Sequence, residues 1–123
     1  MDIYKENIID HYKNPRNKGS IEDADYIEHE VNTLCGDALK FYFKLDEKKE
    51  RIIDVKFEGE GCAISQATAS MLTEEIKGMS LAELKEKAKK DFILDLLGVE
   101  INPARLKCAL LSLECVKKIY NKK

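Results

Sequence analysis

The strongest constraint on this chain is a change of hydrophobic period at residues 59–61. Before it, residues 38–46 alternate, with Leu39, Phe41, Phe43 and Leu45 pointing one way and Lys40, Tyr42 and Lys44 the other. Residues 51–58 repeat the pattern, with Ile53, Val55 and Phe57 set against Asp54, Lys56 and Glu58. The polar run 46–50 joins the two as a hairpin loop. After Gly59-Glu60-Gly61 the apolar residues fall at helical spacing, with Ile64, Ala67, Met71, Leu72 and Ile76 as the buried stripe and Gly78 as terminator. A sheet with one apolar and one wet face, followed by amphipathic helices, closes by laying those helices on the apolar face. The expected fold is α+β: a small antiparallel β-sheet with helices packed on one face, and a helical C-terminal half.

The flanking segments fit that plan. Residues 3–13 form an amphipathic helix, with Ile3, Ile8 and Tyr12 expected on one face and Asp2 as cap. Pro15 and Gly19 end it, and residues 14–24 read as an extended polar linker. Residues 26–33 are a further strand. Ser80-Leu81-Ala82-Glu83 has the form of a capping box, and Asp91 starts a short helix that stops at Gly98. Asn102 and Pro103 mark the start of a last helix, with Leu106, Leu110, Leu113 and Tyr120 expected on its inner face. Neither an internal repeat nor a break in composition divides the chain, so residues 1–123 read as one domain.

Charge excludes one large class of function. The chain has 21 Lys+Arg and 23 Asp+Glu, a net charge of −2, without the basic surplus that binding to phosphates requires. With 44% apolar residues, 6 Gly and 2 Pro, it is neither disordered nor low-complexity. Its longest uncharged stretch, Gly61 to Thr73, is too short and too polar to span a bilayer, and no signal-like segment opens the chain. A soluble cytoplasmic protein is expected, with no nucleic-acid or membrane partner. Residues 1–61 carry 10 basic and 15 acidic side chains and residues 62–123 carry 11 and 8, an imbalance read as solvated helix faces or as a basic docking face.

The four cysteines decide the chemistry. Cys35, Cys62, Cys108 and Cys115 form no Cys-x-x-Cys pair, and a reducing compartment argues against disulfides. Cys35 precedes Gly36 and Asp37, where a bend lets a thiolate and a carboxylate face one point. Cys62 stands between a strand and a helix, where the helix N-terminus favours its thiolate. Cys108 lies early in the last helix beside Lys107 and Arg105, which favour thiolate too. Cys115 sits seven residues further along that helix, roughly 10 Å up the axis, too far to share one metal with Cys108, and reads as a packed core residue. His11 and His29 have no cysteine or carboxylate patterned as a co-ligand, and a structural or solvent role is expected for both.

Four segments together carry a resemblance: Asp10-His11-Tyr12-Lys13-Asn14-Pro15-Arg16-Asn17, Cys35-Gly36-Asp37, Gly59-Glu60-Gly61-Cys62-Ala63-Ile64-Ser65 and Lys107-Cys108-Ala109. In this order they resemble the IscU/SufU/NifU N-terminal family of iron–sulfur cluster assembly scaffold proteins, from the first helix to the last. The resemblance implies an α+β fold, a cysteine desulfurase that delivers sulfur, and apo iron–sulfur acceptor proteins. It implies a site of Cys35, Asp37, Cys62 and Cys108 holding iron as a [2Fe–2S] cluster, or alternatively Zn2+, with the three cysteines as candidate sulfur acceptors. Soft thiolates suit both occupants, and one carboxylate is a weaker fourth donor that eases release.

The resemblance has two branches. IscU proper has histidine where this chain has Lys107, and Arg105-Leu106-Lys107-Cys108-Ala109 and Cys62-Ala63-Ile64-Ser65-Gln66 look like the SufU branch. The segment between Cys62 and Cys108 lacks the SufU insertion, and Asn102-Pro103-Ala104-Arg105-Leu106-Lys107 departs from the proline-rich segment that the IscU chaperone reads. The leading expectation is a non-enzymatic scaffold that accepts sulfur, builds a [2Fe–2S] cluster and transfers it. The alternative is a zinc-dependent sulfurtransferase of the SufU type.

Overall fold

The computed structural model describes residues 3–33 and 36–120. Three strands, β1 (Tyr26–Asn32), β2 (Asp37–Leu45) and β3 (Ile52–Glu60), form an antiparallel sheet in the order β1-β2-β3. Five helices accompany it among the described residues: α1 (Ile3–Lys13) before the sheet, then α2 (Ala63–Ile76), α3 (Leu81–Lys87), α4 (Lys90–Leu97) and α5 (Pro103–Tyr120). The α+β reading is correct, and no helix among the described residues is long and apolar enough to cross a membrane.

The sheet's inner face is built by β2 and β3. Phe41 lies opposite Phe57 and Phe43 opposite Val55, all fully buried, with Leu39 set against Gly59. Their rings stack at centroid separations of 5.9–6.0 Å. On the outer face the Tyr42 hydroxyl donates to Glu58 while the Lys40 ammonium lies 5.4 Å above the Tyr42 ring. That bond to Glu58 raises the Tyr42 pKa.

β3 corrects one expectation. Ile52, not Ile53, enters the core, and Ile53 is 50% exposed. The register with β2 shifts between Lys44 and Leu45, and such a bulge reverses the alternation at the strand's start. The outer edge of β3 is closed by residues 17–19, because Phe57 N–H donates to the Asn17 carbonyl and Gly19 N–H to the Phe57 carbonyl. The segment expected to be a plain linker is thus anchored to the sheet.

β1 is phased the other way from its neighbours. Its register with β2 puts Tyr26, Glu28, Glu30 and Asn32 on the helix side and Ile27, His29 and Val31 on the solvent side. Ile27 and Val31 are about half exposed, while Glu30 pairs with Lys118 of α5 at 2.6 Å.

α2 is the central helix, buried continuously from Ser65 to Thr73. A helix enclosed on all sides must satisfy its own polar groups, and Thr68 and Thr73 do so by donating to the Ile64 and Ser70 carbonyls. α1 packs on it through Ile8 and His11. Ile3 and Tyr12, expected on the buried face, are 69% and 46% exposed, and Asp2 lies outside the described residues. The α3 capping box is present, with Glu83 N–H donating to Ser80 Oγ at 3.1 Å. Gly98 ends α4 at φ +66°, with no room for a side chain against the Tyr4 ring. Asn102 caps α5, its Oδ1 accepting the Ala104 N–H at 2.8 Å. The inner face of α5 is Cys108, Ala109, Ser112, Cys115, Val116 and Ile119, joined by Leu111 and Leu113, whereas Leu106, Leu110 and Tyr120 are only partly buried.

Candidate metal centre

Three elements meet where the period of the sequence changes. β2 begins at Asp37, α2 begins just after Cys62, and Cys108 lies in the second turn of α5. The Asp37 carboxylate and the Cys62 and Cys108 sulfurs lie within 4.8 Å of one another. A tetrahedral zinc ion sets its donors roughly 3.5–4 Å apart, a difference that a small side-chain rotation closes. Among the described residues this is the one group of three or more Cys, His, Asp or Glu side chains so close together.

Asp37 is fully buried, and its two oxygens have different surroundings. Oδ1 accepts the Cys62 N–H at 2.8 Å, while Oδ2 stands 3.9 Å from the Cys62 sulfur. Cys62 is the N-cap residue of α2, its own N–H has no partner within the helix, and Asp37 satisfies that amide from across the site. The N-terminal end of α2 thereby holds a carboxylate beside a thiol. Ser65 fixes the Cys62 backbone by donating from Oγ to the Cys62 carbonyl at 3.0 Å.

Cys62 is half-buried and Cys108 fully buried, so an incoming group meets Cys62 first. Cys35, the remaining expected donor, lies outside the described residues; it precedes Gly36, whose φ of +72° is a left-handed conformation suited to glycine. Lys107 is exposed beside Cys108. Cys115 is far from the cluster in role and chemistry: it is fully buried, its thiol faces the Leu39 carbonyl at 3.9 Å, and burial pushes its pKa up to about 12. A thiol held protonated in the core is neither a ready ligand nor a nucleophile.

The histidines stand apart from this cluster. His29 is exposed on the outer face of β1. His11 is buried, with Nδ1 2.7 Å from Ser70 Oγ. Sequence reasoning treated Gly61 only as part of the joint between strand and helix. Its position directly before the N-cap was the available signal that it borders the site, since its φ is +139° and its Cα faces Asp37.

Two thiols, a carboxylate and a helix N-terminus form a donor set for a thiophilic metal or a metal–sulfur cluster. Comparison with known proteins shows what the whole chain is similar to. Over 132 aligned positions the chain is 39% identical to the zinc-dependent sulfurtransferase SufU of Bacillus subtilis, spanning 94% of this chain and 88% of that protein. It is 37% identical to the iron–sulfur cluster assembly scaffold protein IscU 1 of Archaeoglobus fulgidus, spanning 94% of this chain and 73% of that one. The crystal structure of an iron–sulfur cluster assembly scaffold protein for the SUF system from Fervidobacterium islandicum superposes with a TM-score of 0.80 at 34% identity, covering 96% of each chain. The profile of the NifU-like N terminal domain matches residues 3–122, and the chain belongs to that family.

Proposed function

We propose that this protein is an iron–sulfur cluster assembly scaffold. It accepts sulfur from a cysteine desulfurase, assembles a [2Fe–2S] cluster on Cys35, Asp37, Cys62 and Cys108, and passes it to apo acceptor proteins. The observation that carries this reading is the convergence of Asp37, Cys62 and Cys108, two soft donors and one hard one, at the start of α2. Two roles follow for the chain's own residues. Cys62, the half-buried thiol, attacks the terminal sulfur of a desulfurase persulfide, and the desulfurase thiolate leaves, a step without net redox change. Reduction of that sulfur to sulfide then takes two electrons from an external thiol or protein reductant. Asp37 holds the cargo through oxygen, the weakest bond of the set, and opens first to an acceptor thiolate.

A second reading has its own support. The likeness to the B. subtilis zinc-dependent sulfurtransferase, together with Lys107 before Cys108, favours a zinc-bound sulfur relay on the same residues. Anaerobic purification with metal and sulfide analysis separates the two. Iron and acid-labile sulfide in equal amounts, with visible sulfide-to-iron bands after incubation with desulfurase, cysteine, iron and reductant, is the expected result. One colourless zinc per chain that persists through the same incubation would replace the scaffold with the relay.

A further inference from the structure

We infer that Gly61 is a positioning residue for the Asp37 carboxylate, confining it so that Oδ2 alone is offered to the site; this rests on the reading of Asp37 as a donor. Asp37 is fully buried, so its carboxylate has no solvent to retreat into. One side is fixed by the Cys62 amide, 2.8 Å from Oδ1. The other is set by the bare Cα of Gly61. A Cβ there would overlap Oδ1 and stand 2.7 Å from the Asp37 Cγ and 3.0 Å from its Cα. Gly36 provides the contrast: it too has a positive φ, +72°, yet a Cβ on it would meet nothing within 4 Å. Glycine at 36 answers only to the backbone, whereas glycine at 61 answers to the backbone and to the position of Asp37.

Any side chain at 61 must move the carboxylate. Moving it breaks the Oδ1 bond to the first amide of α2 and swings Oδ2 away from the Cys62 and Cys108 sulfurs. With Oδ1 committed to an amide, Asp37 meets its cargo through one oxygen, which is the form of carboxylate attachment most easily exchanged. Gly61 therefore determines both where the fourth donor stands and how many of its oxygens take part.

The test compares wild type, Asp37→Ala, Gly61→Ala and the double variant, each as apo protein titrated anaerobically with Co2+, whose visible bands report the donor set. Asp37→Ala should lower Co2+ affinity about 10–100-fold and alter the band envelope, and Gly61→Ala should reproduce both effects. The double variant should lose no more than Asp37→Ala alone. A Gly61→Ala protein with wild-type affinity and spectrum, or independent losses that multiply in the double variant, would overturn the inference. Thermal unfolding of the apo proteins gives a second readout, since removing the carboxylate should return part of the Tm lost in Gly61→Ala. Should Gly61→Ala not fold, a folded double variant supports the inference and an unfolded one overturns it. Should Asp37→Ala alone leave Co2+ binding unchanged, the donor reading fails, and the Tm coupling still decides whether Gly61 positions Asp37.

Discussion

His11 and Ser70, 59 residues apart in sequence, are joined by a 2.7 Å contact between Nδ1 and Oγ that fastens α1 to α2. Ser70 Oγ already accepts the Arg16 N–H at 2.8 Å, so its own proton is available to a neutral imidazole. Burial, and then the Arg16 guanidinium, lower the His11 pKa from 6.5, outweighing Glu74 and Asp10, which act in the opposite direction. The unfolded chain therefore takes the proton first. Stability contributed by neutral His11 is full above about pH 6.5 and declines as pH falls toward the lowered value in the folded state. Urea denaturation from about pH 8 to about pH 5 should show this decline in wild type and a flatter profile in His11→Gln. Equal slopes in the two proteins would show that His11 is not the group responsible.

Replacing Cys35, Cys62 or Cys108 with Ser should remove most bound iron or zinc, because in the proposed site each supplies one of four donors. Cys115→Ser should keep the metal and instead cost about 1–3 kcal/mol of stability, since it sets a hydroxyl in the core. Metal analysis and thermal melts on the same samples separate the two classes. Metal loss in Cys115→Ser equal to the others would contradict its burial against Leu39.

Asp37→Cys should act in opposite directions on folding and on transfer. The thiol cannot reproduce the Oδ1 bond to the Cys62 amide, so the apo protein should lose about 1–3 kcal/mol. Once loaded, four thiolates should hold the cargo more tightly and release it more slowly to an apo acceptor at matched loading. The formal charge is unchanged, so electrostatics does not account for the difference. Equal or faster release would leave Asp37 as a helix-capping carboxylate alone.

Gly98→Ala should destabilise the protein by about 1–3 kcal/mol, because alanine is strained at φ +66° and its methyl meets the Tyr4 ring. Truncating the ring in Tyr4→Ala should recover part of the loss in the double variant. Strict additivity in thermal melts would mean that the backbone conformation carries the whole cost.

Much of this fold was legible in the sequence where period and punctuation agreed. The hairpin of β2 and β3, the α3 capping box and the Gly98 terminator all follow from local residue chemistry. The misreadings come from tertiary context. Ile53 was assigned inward because a bulge at Lys44/Leu45 leaves no mark in the alternation. Tyr12 and Leu106 fit the apolar spacing of their helices, yet Ala109, Ser112 and Cys115 take the inner face of α5, with Cys115 against the Leu39 carbonyl, and on α1 it is His11 that is buried, where Ser70 receives it. At the site, Cys62 and Cys108 were legible from their places at element starts. The double use of the Asp37 oxygens was not, since it depends on an amide 25 residues away.

The inverted faces of β1 leave this edge of the sheet held to α5 by charge and to β2 by backbone pairing. Glu30 meets the Lys118 ammonium, which also donates to the His29 carbonyl at 2.9 Å, while the apolar Ile27 and Val31 are spent on the solvent side. Ion pairs this exposed are screened by salt, whereas the aromatic core under β2 and β3 is not. Ionic strength thus addresses one strand selectively, and amide exchange in β1 should quicken with added salt while Phe41 and Phe57 stay protected. Because Cys35 follows β1 by three residues in the sequence, dissolved ions act on the strand that leads to a proposed donor without touching Asp37, Cys62 or Cys108.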